Sequence, residues 1–456
     1  MTIVKTIRPD IVSRLEGQRA PRYTSYPTAP HFTDQFANAD YQTLLTELPG
    51  DTGLSLYLHV PFCQTMCWYC GCHTRIVSDY SPIESYLHAL EGEIRMVAAS
   101  LPRRMNVRHI HWGGGTPTIM APGAFRGLMS ALRDCFEVAS DAEVAVEIDP
   151  RRITDEMTLA LGDAGVTRAS LGVQSFDPKV QQAINRIQTF EQTACATDGL
   201  RAVGIEAINF DLIYGLPYQT VASCEDTVAQ ALRLGPDQFS VFGYAHVPWM
   251  KKHQRMIEAS ALPDPRNRLA QFAAIAGRLA DAGYRRIGLD HFAKPGDRLV
   301  RCLDAGTLHR NFQGYTSDQC TTLLGFGASA IGTLPHAYVQ NTTQVGDYRR
   351  RIEAGSFAIQ RGRRLSAEDR LRRDVIERIM CDFNVDLDAV AARHGLGAQY
   401  FADELARLRE LQRDGMLRIE GAAISLDETC WPLARTVAAI FDAYLQPEEG
   451  RHAAAI

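Results

Sequence analysis

The sequence predicts an α/β fold: a parallel sheet curled into a partial (β/α) TIM-like barrel, with an N-terminal arm and a mainly helical C-terminal domain. Three observations point there. Short apolar, β-rich runs recur at 54–60 (LSLYLHV), 107–112 (VRHIHW), 143–148 (EVAVEI), 168–173 (RASLGV), 207–213 (AINFDLI), 238–244 (QFSVFGY) and 284–290 (YRRIGLD). The stretches between them are amphipathic, and the intervals suit βαβ units of about 30 residues each. From about residue 350 the pattern changes to apolar residues at three- and four-residue spacing, as in RRLSAEDRLRRDVIERIMCDF and YFADELARLRELQRDGML. The chain therefore divides into an arm (1–50), a barrel domain (51–349) and a helical domain (350–456).

The arm begins MTIVKTIRPDIVSRLEGQRAPRY, which charges and a proline interrupt, so it lacks the apolar core of a secretory signal. A cytoplasmic protein is expected. Its second part, PRYTSYPTAPHF (21–32), carries three prolines that discourage helix and aromatics suited to docking onto another element. In a barrel of this kind the chemistry sits at the C-terminal ends of the strands. The unusual residues lie there: a cysteine loop after the first strand, GGGTP after the second, Glu147 ending the third, Gln174 past the fourth, Asp211 in the fifth and Tyr244-Ala245-His246 after the sixth. The basic cluster RGRRL (361–365) reads as a solvated approach to a helix.

A net charge of -5 gives no global attraction to nucleic acid or to an anionic membrane, so an anionic substrate must be held by local basic groups. No apolar run is long enough for a membrane span, and no membrane insertion is expected. Eleven cysteines, an odd number without an even framework of spacings, argue for reduced thiols and cofactor chemistry.

The segment HVPFCQTMCWYCGCHTR (59–75) packs Cys63, Cys67, Cys70 and Cys72 into ten residues. Thiolates are soft ligands, and steps of four and three residues let Cys63, Cys67 and Cys70 wrap one face of an iron-sulfur cube. The fourth iron then stays open and can chelate the amino and carboxylate groups of S-adenosylmethionine. The alternative is a zinc knuckle, whose second ligand pair would have to come from elsewhere in the chain. Gly113-Gly114-Gly115-Thr116-Pro117 lets backbone groups approach a ligand closely, but it is not a dinucleotide fingerprint. Asp211 lies between Phe210 and Leu212, where a buried charge needs a partner.

CQTMCWYC matches the CxxxCxxC signature of the radical S-adenosylmethionine (SAM) superfamily. More narrowly, YLHVPFC, Cys72, HWGGGTPT, EIDPR, GVQSFD, INFDLIYGLP, FGYAHVP, DHFAKP and LHRNFQGYT together resemble the oxygen-independent coproporphyrinogen III oxidase (dehydrogenase) family, over nearly the whole chain. The resemblance implies a radical SAM-type barrel with one [4Fe-4S] cluster on Cys63, Cys67 and Cys70. It places Tyr57, Gly114, Glu147 and Ile331 on the cluster-bound SAM. A second SAM would meet Tyr69, Gly115, Thr116, Gln174, Arg186, Asp211 and Ala245. Cys72 then faces that second cofactor as a non-ligand cysteine, and Cys72 and Tyr57 are the candidate catalytic residues. The implied substrate, coproporphyrinogen III, bears four propionates, for which Arg22, Tyr23, His309 and Arg310 are candidates. The implied reaction is oxidative decarboxylation of two propionates to vinyl groups by a monomer, with an unidentified electron donor and acceptor. One rival is a heme-binding chaperone of the same superfamily, which generally lacks the fourth cysteine and the PRYTSYPT segment; the other is a zinc-stabilised binding protein.

Overall fold

The computed structural model describes residues 20–445. Its centre is a twelve-stranded sheet. The strands are β1 (Leu54–Val60), β2 (Asn106–Gly114), β3 (Glu137–Ile148), β4 (Arg168–Gln174), β5 (Ala207–Tyr214), β6 (Gln238–Gly243), β7 (Arg285–Ile287), β8 (His291–Ala293), β9 (Thr322–Phe326), β10 (Ile331–Leu334), β11 (Ala337–Asn341) and β12 (Ile359–Arg364). They are ordered β12-β11-β10-β9-β1-β2-β3-β4-β5-β6-β8-β7. β9 and β1 to β6 run parallel, and an antiparallel extension flanks them on each side. The two edge strands, β12 and β7, do not meet, so the barrel stays open.

The parallel strands are apolar because both of their faces are covered. In β1 every residue except Tyr57 is buried. The outer cover is a set of helices: α1 (Ser81–Ala99), α2 (Pro122–Cys135), α3 (Asp155–Asp163), α4 (Phe190–Ala202), α5 (Val221–Arg233) and α6 (Pro265–Asp281). Thr154, Thr189, Thr220 and Asp264 start four of them, each side chain accepting a backbone N–H of the first turn. Trp112, Phe125, Phe210, Phe239 and Phe326 fill the core between sheet and helices.

Three expectations change. The run at 284–290 is not one parallel strand: Gly288 adopts φ +55, and a side chain there would strike the Tyr315 ring, so the chain turns back as the hairpin β7–β8. The seventh parallel position belongs to β9, a five-residue strand that overlaps the glycine-punctuated stretch LLGFGASAIG. The boundary placed at residue 350 falls within the helix Val345–Glu353, and β12 then returns to the main sheet. RGRRL is therefore mostly edge strand, where Arg361 donates to Gln340 Oε1 at 2.6 Å and Arg364 to Asp40 Oδ1 at 2.7 Å.

Beyond β12 lie the helices Ala367–Asp382, Leu387–Arg393 and Ala402–Arg413 and a small sheet of Asn384–Asp386, Leu417–Glu420 and Ala423–Leu426. They share a core of their own, built on Leu371, Val375, Ile379, Leu408 and Leu433. Tyr23 and Tyr26 of the arm are buried in that core, so the aromatic segment docks on the C-terminal domain. The first 19 residues of the arm lie outside the described residues. Among the described residues no helix is long and apolar enough to cross a membrane.

Candidate active site

The cysteine loop leaves β1 at the mouth of the barrel. Its base is closed by backbone bonds, Arg75 N–H to Pro61 O at 2.7 Å and Val77 N–H to Cys63 O at 3.0 Å. Its interior carbonyls are held from outside. Asn185 Nδ2 donates to Met66 O (2.8 Å), Gln254 Nε2 to Tyr69 O (3.1 Å), His253 Nε2 to Cys70 O (2.7 Å) and Lys251 Nζ to Cys72 O (3.0 Å). These contacts fix the backbone on which the thiols are mounted.

The thiols meet donors rather than carboxylates. Arg151 Nη2 and Arg186 Nη1 lie 3.7 and 3.6 Å from Cys67 Sγ, the Cys72 amide donates to Cys70 Sγ at 3.4 Å, and Cys63 Sγ is 3.3 Å from Thr116 Oγ1. Guanidinium and amide donors favour the thiolate, which is the form that binds metal. Hydrogen bonding from Cys72 pulls the Cys70 thiol down to about 6, whereas burial lifts Cys63 to about 11. Asp149 aims both arginines, at 2.6 Å to Arg151 Nη2 and 3.4 Å to Arg186 Nη2. Burial would raise the Asp149 carboxyl, but the two arginines override it and keep it ionised. Among the described residues no three His, Cys, Asp or Glu side chains close on a single point.

Next to the loop, β2 ends in a groove that excludes side chains. A Cβ at Gly113 would sit 2.8 Å from Glu147 Oε1, at Gly114 (φ +120) 2.9 Å from Val60 O, and at Gly115 2.5 Å from Phe62 O. Gly114 N–H donates to Glu147 Oε2 at 3.1 Å, and His111 Nε2 lies 3.2 Å from Oε1, which fixes Glu147 at the rim. Tyr57 Oη is 2.9 Å from His59 Nδ1, and His59 Nε2 is 3.1 Å from His73 O. The carbonyl can only accept, so Nε2 donates and Nδ1 accepts a hydrogen bond from the Tyr57 hydroxyl; burial lowers the His59 pKa to about 4, keeping the ring neutral. Gly325 faces Tyr57 across the ladder, and a Cβ there would meet the Ile331 carbonyl at 2.7 Å, so Ile331 lies one strand further out, at the start of β10.

Gln174 ends β4 at φ +67, buried, with Oε1 lacking a partner among the described residues. Its amide packs on Gly172, whose carbonyl accepts from Arg186. Asp211 accepts from Ser170 Oγ at 3.0 Å and Asn209 Nδ2 at 2.8 Å. Burial, then the charge of Glu147, raises its carboxyl to about 6. Glu147 and Asp211 line one small interior pocket of about 150 Å³. Tyr69 and Ala245 are tied together, because Gln254 Nε2 donates to both carbonyls. Sequence-distant candidates are thereby gathered at one mouth.

From that mouth a cavity of about 660 Å³ opens, with Cys72 and Ala245 at the loop end and Tyr214, Phe272 and Phe312 on its walls. Arg22, Arg268, Arg310 and Arg435 line it, and Asp290 is the one carboxylate in its lining. Arg310 Nη1 is 3.7 Å from Asp290 Oδ1, with a side chain only 6% exposed, and its Nε and Nη1 make no hydrogen bond among the described residues. The other two substrate candidates are committed elsewhere. Tyr23 O–H donates to Asp442 Oδ2 at 3.0 Å and His309 Nδ1 bonds Glu377 Oε1 at 3.0 Å; both line a neighbouring pocket of about 320 Å³ that shares Thr24, Arg310 and Phe312 with the cavity.

Residues 57–231 match the Radical SAM superfamily, and residues 365–433 match the HemN C-terminal domain. An oxygen-independent coproporphyrinogen III oxidase of Bradyrhizobium diazoefficiens is 55% identical over 450 residues, covering 99% of this chain and 100% of that protein. The chain belongs to the oxygen-independent coproporphyrinogen III oxidase family. A relative of the same name from Pseudomonas aeruginosa is 39% identical across 97% of each chain. The solved coproporphyrinogen III oxidase (HemN) from Escherichia coli, titled a radical SAM enzyme, has a TM-score of 0.90 at 36% identity, covering 97% of this chain and 100% of that one.

Membership of this oxidase family implies a [4Fe-4S] cluster and SAM. The residues present fit both. Three soft thiols with guanidinium neighbours suit the cluster, while the glycine groove and the unpartnered Gln174 carbonyl suit a ligand with donors of its own. Sequence reasoning missed several contributors. Asp149 and Arg151 stand within the quoted motif EIDPR and Asp290 within DHFAKP, so a signal existed without a role. His59 adjoins the cysteine loop in plain view. Arg268 and Arg435 carry no local signal at all.

Proposed function

We propose that this chain carries out the anaerobic oxidative decarboxylation of two propionate side chains of coproporphyrinogen III to vinyl groups, giving protoporphyrinogen IX in heme biosynthesis. The observation that carries this reading is the 660 Å³ cavity, cationic within a chain of net charge -5, which ends at Cys72 beside the cysteine loop. Its volume lies in the range of small-molecule sites.

Cys63, Cys67 and Cys70 would hold the cluster. When bound, the cluster and SAM supply adenosyl-radical chemistry, which removes a hydrogen atom from a propionate β-carbon. Tyr57, Gly114, Glu147 and Ile331 would orient the cofactor at the cluster. Tyr69, Gly115, Thr116, Gln174, Arg186, Asp211 and Ala245 would hold a second SAM, with Cys72 between it and the substrate. Arg22, Arg268 and Arg310 offer guanidinium forks to carboxylates, and Phe272 and Phe312 pack the pyrroles and exclude water. Each decarboxylation yields CO2 and one hydrogen atom captured from substrate, and leaves one electron for an acceptor. A separate donor supplies one electron per SAM cleaved. On the same proposal the protein works in the cytoplasm as a monomer. The chaperone reading is not favoured, because relatives at 55% and 39% identity bear the oxidase name.

The test is an anaerobic assay with coproporphyrinogen III, SAM and dithionite. Protoporphyrinogen IX should form with two equivalents each of methionine and 5'-deoxyadenosine, and a monovinyl species should accumulate when SAM is limiting. A ratio of one per product in coupled turnover would reject the two-radical reading. Heme binding without decarboxylation would reject the activity.

A further inference from the structure

Residues 247–257 follow β6 and form a short irregular segment beside the cysteine loop. Trp249 lines the substrate cavity, and Lys251, His253 and Gln254 brace the cysteine loop, but Met250, Lys252, Arg255 and Met256 have no part in the sites described. One side of the segment is clamped to the loop, through Lys251 to Cys72 O, His253 to Cys70 O and Gln254 to Tyr69 O. The other side faces solvent. Met250 and Met256 are 65% and 60% exposed, and Lys252 and Arg255 are exposed between them. No Asp or Glu occurs between Asp237 and Glu258, so the segment is locally cationic in an acidic chain.

Two exposed methionines among cations, on a segment whose side chains bond the backbone carbonyls of the thiol-bearing loop, combine three requirements of a transient redox interface. Adaptable thioethers supply contact area, cations select and steer an acidic surface, and His253 gives the shortest route inward, ending at Cys70 O 2.7 Å away. We propose that the 247–257 surface docks an acidic one-electron carrier protein that reduces the iron-sulfur site. This rests on the functional reading above, which needs one electron from outside for each SAM cleaved. In the transfer the carrier is oxidised by one electron and the iron-sulfur site is reduced by one; no covalent bond or proton changes hands between the two proteins.

The probe is an acidic flavodoxin, used with the full-length chain and with the double variant Lys252→Glu/Arg255→Glu, both residues lying outside the cofactor and substrate machinery. Calorimetry at low salt on the cluster-free and cluster-loaded protein should show flavodoxin binding weakened about tenfold or more in the variant, with the gap closing at high salt. Cluster reduction by flavodoxin hydroquinone, followed by electron paramagnetic resonance, should slow by a similar factor. Dithionite, which needs no docking surface, should reduce the cluster and drive turnover in the variant at the parent rate. An unchanged affinity overturns the proposal, as does an equal loss with dithionite. So does a variant that alters self-association or binding to anionic vesicles while flavodoxin binding stays the same. Failure of the parent protein to decarboxylate coproporphyrinogen III with dithionite would instead defeat the functional reading, and the affinity comparison would still decide the docking surface.

Discussion

Replacing Asp290 with Asn should destabilise the protein through the arginines it faces. The carboxylate stands 3.7 Å from Arg310 Nη1 and 2.8 Å from His291 Nδ1, and Arg22 also acts on it. Burial alone would raise the Asp290 carboxyl; Arg310, His291 and Arg22 override it and hold it well below the usual carboxylate range. At the Arg310 separation the attraction is roughly 4 kcal/mol with an effective dielectric of about 20. Asn keeps the shape and one acceptor for His291 but removes the charge, leaving Arg310 and Arg22 without their anion. Removing one partner of a buried pair costs about 3–5 kcal/mol. The expected loss for Asp290→Asn is therefore about 3 kcal/mol at pH 7, read from urea unfolding of both proteins. The sign with pH follows from the depressed value. The contribution is present above the unfolded pKa of about 3.9 and is lost as pH falls through the folded one. The difference between parent and variant should stay flat from pH 5 to 8 and shrink below about pH 4. A variant within about 1 kcal/mol of the parent at pH 7, or a difference that grows in acid, would refute the electrostatic account.

Cys67→Ala should lose reconstitutable iron, whereas Cys72→Ala should retain it and lose turnover; equal iron loss in both would break the three-plus-one division of the loop. Asp211→Asn should spare the cluster and weaken the second SAM, which equilibrium dialysis reads as loss of one of two equivalents. With the Asp211 carboxyl at about 6, binding of that equivalent in the parent protein should also weaken as pH drops through 6, and a pH-independent second equivalent would count against its role. Glu93 on α1 is buried and accepts Gly327 N–H (2.7 Å), Asn341 Nδ2 (2.6 Å) and Tyr348 O–H (2.7 Å), yet burial still lifts it to about 7. A raised carboxyl contributes stability below its unfolded pKa and loses it as pH rises through the folded one. The stability of the parent relative to Glu93→Gln should thus fall by about 2–3 kcal/mol between pH 4.5 and 8, and a flat difference in thermal or urea unfolding would contradict it.

What the sequence determined by itself was local. Cys63, Cys67 and Cys70 lie within eight residues, so one loop carries all three thiols in any compact fold. The apolar runs that became β1 to β6 show because strands buried on both faces must be apolar throughout, and GGGTP shows because no side chain fits at three successive positions. Tertiary structure decided the rest. β9 is short, contains Gly325 and is followed by Gly327, and only its pairing with β1 makes it a strand. RGRRL looks solvated from its charges, yet it pairs with β11 on one side and, at Gly362, with Thr33 of the arm on the other, leaving only Arg364 exposed. The cavity's cations come from four distant segments, at residues 22, 268, 310 and 435. An arginine is ordinarily a surface residue, and nothing in its neighbours tells that it will line a cavity. Tyr23 and His309 sit one residue from Arg22 and Arg310, yet they turn to Asp442 and Glu377, because the backbone sends adjacent side chains to different sides. Which member of each pair lines the 660 Å³ cavity is fixed only when the arm, residues 309–316 and the C-terminal domain pack together.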